Sequence, residues 1–448
     1  MEDVSERQAE GKPVTVPETA TQAGEVRARW AWAEPAVWSE RMLTALEEGV
    51  KGGKWFSLID KVYRPANLRQ AFARVKANRG VAGVDHQTIE MFEQHLEANL
   101  EYLATALKDG SYRPLALLRK WIAKLGSSEQ RPLGIPTVRD RVVQSALRAV
   151  LEPIFERIFA AQSYGFRPGR GCKDALRQVN YLLKQGYNWV VDADLKSYFD
   201  TIPFAPLLAG VEEQVADGRV LALIEAYLQQ GVLEAMKLWQ PEAGTPQGAV
   251  ISPLLSNIYL NPLDHLMAAR GCEMVRYADD FVILCRSEAE ARQALAMVQQ
   301  WTAQAGLTLH PEKTRIVDAT KHGGFDFLGY HFERGYRWPR RKSLKKLKDK
   351  IRVRTKRNNG QSLQVIISRV NPVVRGWFGY FKQSHYTTFT PLDKWLRMRV
   401  RSLLRKRRKR RGRAGPRDNR QWPNAFFAAQ GLFSLAHAHA LLRQSSRR

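Results

Sequence analysis

The segment MVRYADDFVILCRS, Met274 to Ser287, sets two adjacent aspartates, Asp279 and Asp280, between runs of β-branched and aromatic residues. Two strand-forming runs joined by a short polar step predict a hairpin, and Asp is a common turn residue, so a plain turn accounts for the pair taken alone. Against that stands an electrostatic cost. Two like charges held side by side next to apolar strands call for a compensating cation. Which reading applies depends on what the rest of the chain brings to the turn.

The chain has 448 residues and 44% hydrophobic content, enough for real cores and about three domains. Its net charge of +27 is unevenly placed. Residues 337–448 carry 32 Lys or Arg against three acids, Asp349, Asp393 and Asp418, whereas residues 1–336 carry 39 bases against 41 acids. A run such as RKRRKRRGR, Arg405 to Arg413, repels itself and needs a polyanion to be held near structure, which points to nucleic acid. Cys172, Cys272 and Cys285 are odd in number and far apart, with no CxxC pair, which argues against disulfides and a zinc module. The polar start MEDVSERQAEG lacks a signal-peptide pattern, so a cytoplasmic protein is expected. The longest apolar stretch, Ala425 to Leu442, is interrupted by Gln, Gly, Ser and two His and reads as a packed terminal helix; no membrane partner is expected.

Residues 1–50 read as a mostly disordered leader ending in a helix around Trp38 to Gly49. Apolar residues from Arg139 to Phe159 recur at the spacing of one helix face, with a bend or interruption expected at Pro153. NWVVDADL, residues 188–195, reads as a buried strand, and Ser287 with Glu290 has capping-box spacing ahead of a helix that Gly306 should stop. After Tyr336 only helical patterns remain: Leu344, Leu347 and Ile351 form one stripe, and Ile366 through Phe381 a stronger one. Thr390, Pro391 and Asp393 supply an expected N-cap, N1 proline and first-turn acid for the next helix. A mixed α/β region thus precedes a basic helical one, with the boundary placed near residue 335.

A second acidic cluster, Asp192 and Asp194, ends the strand 188–195. Two-metal phosphoryl chemistry needs carboxylates from separate elements, because no single turn bridges ions about 3.5 to 4 Å apart. Asp194 with Asp279 and Asp280 would make the metal site of a nucleotide polymerase. Other motifs follow in order: RGVAGVD (79–85), RPLGIPTVRDRVVQ (131–144), SYGFRPGRG (163–171), DLKSYFDTI (194–202), TPQGAVISPLLSNIYL (245–260), YADD (277–280), LHPEKT (309–314) and FLGY (327–330). In this order they resemble bacterial group II intron-encoded reverse transcriptases and maturases, over residues of about 55 to 448.

The resemblance implies an α/β (α+β) right-hand polymerase with fingers and palm over residues 51–335, then an all-α thumb and maturase domain over 336–448. It implies an RNA-directed DNA polymerase that also binds its intron RNA to assist splicing and mobility. The expected partners are group II intron RNA, an RNA template with a DNA primer, target DNA and dNTPs. Asp194 and Asp279 would be the principal ligands of two Mg²⁺ ions, with Asp280 a supporting carboxylate. Lys124 and Arg131 would clamp the triphosphate, and Gln247 would lie against the incoming nucleotide. Phe199 would stand under its sugar, excluding a 2′-hydroxyl, and is otherwise a core aromatic. Lys313 matches a general acid for pyrophosphate, and a surface ion pair is the other reading of it. Arg167 and Arg170 suit an RNA backbone, as do Arg405, Lys406, Arg407, Arg408, Lys409, Arg410 and Arg411 at the basic end. Ala249 departs from the family's usual second glycine after PQ, and no appended HNH endonuclease is recognised, as in the endonuclease-lacking lineages. A maturase that folds intron RNA without synthesis, and a reverse transcriptase turned to host defence or repair, remain alternatives. The intact carboxylates weigh against the first and the basic end against the second.

Overall fold

The computed structural model describes residues 25–445 apart from 51, 124–129, 359, 411 and 413. The chain divides into two compact units: residues up to 120 with 134–159 and 203–259, and residues 121–133 with 160–202 and 260–448.

In the first unit, the helix Val138–Glu156 is the core element. Its N-cap Thr137 accepts a hydrogen bond from Asp140, and residues on several faces are buried, from Val138 and Val142 to Ile154 and Phe155. Of the expected bend or interruption at Pro153, there is no interruption: the proline lies within this helix without ending it. The motif RGVAGVD owes its glycines to close approach here: a Cβ on Gly83 would stand 2.7 Å from Thr137 Cα, and one on Gly80 would strike the Arg141 guanidinium. The expected disordered leader is corrected over residues 25–37, and the expected helix near its end is there as Glu40–Glu48. Trp38 is buried, with Nε1 donating to the Ala149 carbonyl (3.0 Å), and the helix Glu40–Glu48 buries Leu43 and Leu46. The acidic, polar composition of the first 29 residues hid an indole that finds both an apolar site and an acceptor. Residues 1–24 lie outside the described residues. Strand Val232–Glu234 pairs parallel with Leu117 and Leu118 and antiparallel with Lys237–Trp239.

In the second unit, a four-stranded sheet runs in the order Glu273–Tyr277, Asp280–Cys285, Trp189–Asp194, Arg315–Asp318, all pairs antiparallel. The expected strand and hairpin are there, and the helix Glu288–Gln304 follows with Ser287 as its side-chain cap. A second, three-stranded sheet, Phe325–Phe327, Tyr330–Glu333 and Tyr336–Pro339, buries Phe325, Phe327, Tyr330 and Phe332 against Val190, Val282 and Leu284 of the first.

The expected boundary at 335 is not a break in packing. Phe381, on the helix Leu363–Phe381, belongs to that same core, with its ring 5.0 Å from Tyr330. Tyr330 Oη donates to the Tyr380 carbonyl, and Tyr380 Oη to the Leu328 carbonyl. Beyond it, helices Arg341–Arg354, Leu363–Phe381 and Phe389–Arg407 bury the predicted stripes in a core of their own. Two local expectations are corrected. The helix of Pro391 starts at Phe389 after a single 3₁₀ turn, and Asp393 caps a different helix: its carboxylate accepts from Ser434 Oγ and from the backbone N–H groups of Leu435 and Ala436. The expected single terminal helix is two, Asn424–Ala429 and Leu435–Ser445, parted where Gly431 adopts φ +77°. No helix among the described residues is long and apolar enough to cross a membrane.

Candidate active site

Tyr277 and Asp280 pair across the hairpin, so Ala278 and Asp279 form a two-residue turn, and Asp280 stands directly opposite Asp194 on the neighbouring strand. Antiparallel partners share a face, which sets Asp194 and Asp280 together while the turn carries Asp279 at the sheet's end. All three predicted carboxylates are thus brought together.

Ala278 has φ +59°, a conformation that a two-residue hairpin normally gives to glycine and that costs another residue about 1 to 3 kcal/mol. Neighbouring groups hold it. Arg276 is fully buried, makes a two-point ion pair with buried Asp264 (2.7 and 2.5 Å), and donates from Nη1 to the Ala278 carbonyl (2.9 Å). On the other side, SYGF lies along the strand Glu273–Tyr277 through Tyr164 N to Arg276 O and Arg276 N to Gln162 O. Gly165 comes so close to the turn that a Cβ there would stand 2.2 Å from Ala278 N.

This placement gives two of the arginines expected to contact RNA partners within the chain. Arg167 is buried, with Nη1 donating to the carbonyls of Ala160 (2.6 Å) and Ser163 (2.9 Å). Arg170 donates to the Ala161 carbonyl and lies over the Tyr164 ring. Both guanidiniums shape the loop that supports the aspartate turn. Unsatisfied carbonyls at a sharp buried bend are costly, and Arg has enough donors to serve several.

The electrostatics fit a cation-binding role. Burial, and then the charges of Asp279, Asp192 and Asp194, push the Asp280 carboxyl up to about 7. Burial pushes Asp192 up to about 6 despite Arg315 at 3.4 Å. Asp279 is raised by burial and by Asp194, against the opposing pull of Arg131 and Arg276. Such groups resist ionising together and are relieved by a bound cation. Among the described residues, no group of three or more His, Cys, Asp or Glu side chains is arranged to hold an ion by itself. Mg²⁺ does not require one, since it takes one or two carboxylates and fills its octahedron with waters and substrate phosphates.

LHPEKT is fastened to the end of the Asp194 strand by a bridge between Leu195 and Leu309 and by bonds from Lys196 N to Thr308 O and His310 N to Asp194 O. Lys313 thereby reaches Asp194, Nζ to Oδ2 at 2.6 Å. Phe199 is half-buried on the short helix Tyr198–Thr201, its ring edge-on to buried Tyr198. Arg131 is exposed on the strand Gln130–Ile135, and its charge bears on Asp279. Lys124 lies outside the described residues. Gln247 belongs to the first unit, where its carbonyl accepts from Gly134 N and the following Gly248 has φ +111°. Buried Ala249 takes the family's usual glycine position.

At the basic end, Arg405 is spent on structure, pairing with Asp418 at 2.8 Å, while Arg408 lies over Trp422 and Arg407 donates to the Gln361 carbonyl. Lys406 and Lys409 are exposed, Arg410 is half-buried, and Arg411 lies outside the described residues. The helix ends at Arg407, within the basic run. Arg276, Asp264 and Gly165 were not foreseen as parts of the site. The one available signal was a charge inside an otherwise apolar strand, which must find a buried partner.

The reverse transcriptase (RNA-dependent DNA polymerase) family model matches residues 122–332, and the group II intron maturase-specific domain matches residues 344–422. Protein YkfC of Escherichia coli (strain K12) is 30% identical over 348 residues, 68% of this chain and 86% of that protein. The group II intron-encoded protein LtrA of Lactococcus lactis subsp. cremoris is 37% identical over 203 residues, 45% of this chain and 33% of LtrA, so the chain spans about a third of that relative's length. A solved structure, the partial Cas6-RT-Cas1–Cas2 complex, is 27% identical with a TM-score of 0.36, covering 55% of this chain and 41% of that one. The fold class is that of a right-hand polymerase followed by a helical C-terminal region. The chain belongs to the family of group II intron-encoded reverse transcriptases and maturases.

Proposed function

We propose that this protein is an RNA-directed DNA polymerase that also binds its group II intron RNA to assist splicing and mobility. The observation that carries the reading is the placement of Asp194 opposite Asp280, beside Asp279, with the half-buried carboxyls of Asp279 and Asp280 raised above their ordinary range. Asp194 and Asp279 would hold two Mg²⁺, with Asp280 in support; the oxygen-only donor set suits that ion. Bound Mg²⁺ supplies neutralisation of the triphosphate and a lowered pKa for the primer 3′-hydroxyl.

The chain's own groups do the rest. Arg131, together with Lys124, binds the triphosphate; Gln247 orients the nascent pair; Phe199 closes the space under the sugar to a 2′-hydroxyl. Lys313, paired with Asp194 at 2.6 Å, would give its proton to the departing pyrophosphate. Exposed Lys406 and Lys409, within the basic last quarter, support intron RNA binding through phosphates, the groups that A-form helices present most openly. Primer extension on an RNA template with Mg²⁺ and dNTPs tests the polymerase reading. Absence of extension by the wild-type chain, with intron RNA still bound, would leave a maturase alone.

A further inference from the structure

The three-stranded sheet Phe325–Pro339 has two unlike faces. One is the aromatic core already described. On the other, the pairings His331 with Asp326, His331 with Trp338 and Glu333 with Tyr336 set acids, imidazoles and large rings on one surface. His331 bridges Asp326 (Nδ1, 2.8 Å) and Glu333 (Nε2, 3.2 Å), and His322 Nδ1 meets the other oxygen of Glu333 at 2.8 Å. This imidazole contact, with that of His331, holds the Glu333 carboxyl down at about 2.

A cavity of about 740 Å³ opens over this row, within the range that suits a small ligand. Trp338 forms one wall, and Arg340, Arg341 and Lys342 form its basic rim. Arg340 Nε is buried and has no hydrogen-bond partner among the described residues. The ring surface continues beyond Trp338: Tyr336 lies 5.9 Å from it and 4.8 Å from His385, which in turn lies 4.4 Å from Tyr386. Tyr336 and Tyr386 are 55% and 57% exposed, a large aromatic area left in water although the core is adjacent.

Rings beside fixed cations, with hydrogen-bond acceptors between them, make a surface for a nucleotide whose base is not already paired. A duplex keeps its base faces stacked on each other and offers none to a protein ring. We propose that this outer face binds an unpaired ribonucleotide of an RNA strand, its base on Trp338 and Tyr336 and its phosphate on Arg341 and Lys342. Asp326 and Glu333 line the space between, where they accept from the 2′-hydroxyl. The inference rests on the RNA-binding reading above and adds where, and in what form, one segment of RNA is held.

The test is fluorescence anisotropy of the full chain with labelled deca-adenylate RNA and with its deoxy counterpart. Trp338→Ala and Tyr336→Ala should each weaken the RNA complex about tenfold, the size of one lost base stack. Trp338→Phe should restore most of the affinity, and extension of a fully annealed primer should be unchanged in all three. Unaltered RNA binding in both alanine variants would overturn the site, and equal affinity for RNA and DNA would overturn the sugar contact. If those variants fail to fold, ultraviolet cross-linking of a 4-thiouridine oligonucleotide to the wild-type chain decides: adducts on residues 336–342 support the site, and adducts elsewhere alone reject it. A wild-type chain that neither extends primers nor binds intron RNA would instead refute the reading on which the site rests.

Discussion

Gly165 and Ala278 are packed backbone to backbone, so that a single added carbon on Gly165 would lie 2.2 Å from Ala278 N and 2.8 Å from Tyr277 C. The contact ties SYGFRPGR to the aspartate turn. Gly165→Ala should shift that turn and lower kcat for primer extension at least tenfold, since misplacing reacting groups by about 1 Å costs up to 100-fold. The overpacking should cost about 1 to 3 kcal/mol of stability. Gly379→Ala, on a helix with nothing within 4 Å of the new methyl, is the control and should keep both. Primer extension and thermal denaturation of the two variants check this; full activity in Gly165→Ala would show that the turn tolerates displacement.

Arg276 and Asp264 form a fully buried pair whose third arm holds the Ala278 carbonyl. Arg276→Met alone should cost about 3 to 5 kcal/mol, because it strands a buried carboxylate. Adding Asp264→Leu should recover much of that stability. Activity should not recover with it, because the strained turn still lacks its donor. Chemical denaturation and kcat for the single and double variants separate the outcomes; joint recovery would make the pair structural only.

Asp279→Ala should abolish synthesis with little loss of folding, since it removes a proposed metal ligand while also relieving like-charge repulsion. Asp280→Asn should stabilise the metal-free chain at neutral pH for the same electrostatic reason, as the wild-type carboxyl is held near 7 by burial and neighbouring acids. Melting temperatures with EDTA and with Mg²⁺, beside extension rates, measure both effects. Extension by Asp279→Ala at the wild-type rate is the result that sinks the metal assignment.

Phe199→Val or Phe199→Ala should raise ribonucleotide relative to deoxyribonucleotide incorporation. The ring is half-buried against Tyr198, so a modest stability loss is expected alongside. An unchanged ratio of kcat/KM for the two sugars would leave Phe199 as a packing residue.

Replacing Lys406 and Lys409 with Gln removes up to two proposed phosphate contacts, each contributing about 0.7 to 0.9 to the logarithmic salt slope of RNA binding. Arg405 is left alone because its pairing with Asp418 is structural. The double variant should bind intron RNA more weakly and assist splicing less well, yet extend a short annealed primer at low salt. Asp279→Ala should do the reverse. Titrations against salt, splicing and extension for both variants test the separation, and parallel loss of all three activities in both would refute it.

The strands at Trp189–Asp194 and around the aspartate turn, the helix after Ser287 and the apolar stripes beyond residue 340 were legible because periodicity, caps and turn residues act over a few positions. The motif order marked Asp194, Asp279 and Asp280 as a set, and the pairing in the sheet brought them together. Partner choice lay beyond local reading. Nothing adjacent to Arg276 names Asp264, twelve residues away on another element, and Asp393 has an acid's usual place near one helix start while it caps another. Arg167 and Arg405 look in sequence like every other exposed cation; only the folded chain shows that buried carbonyls and Asp418 engage them. The sequence by itself determined which charged residues the chain carries and in what order its motifs present them. Tertiary structure decided which of those charges stay free, because a buried polar group must find its partner wherever the fold puts one.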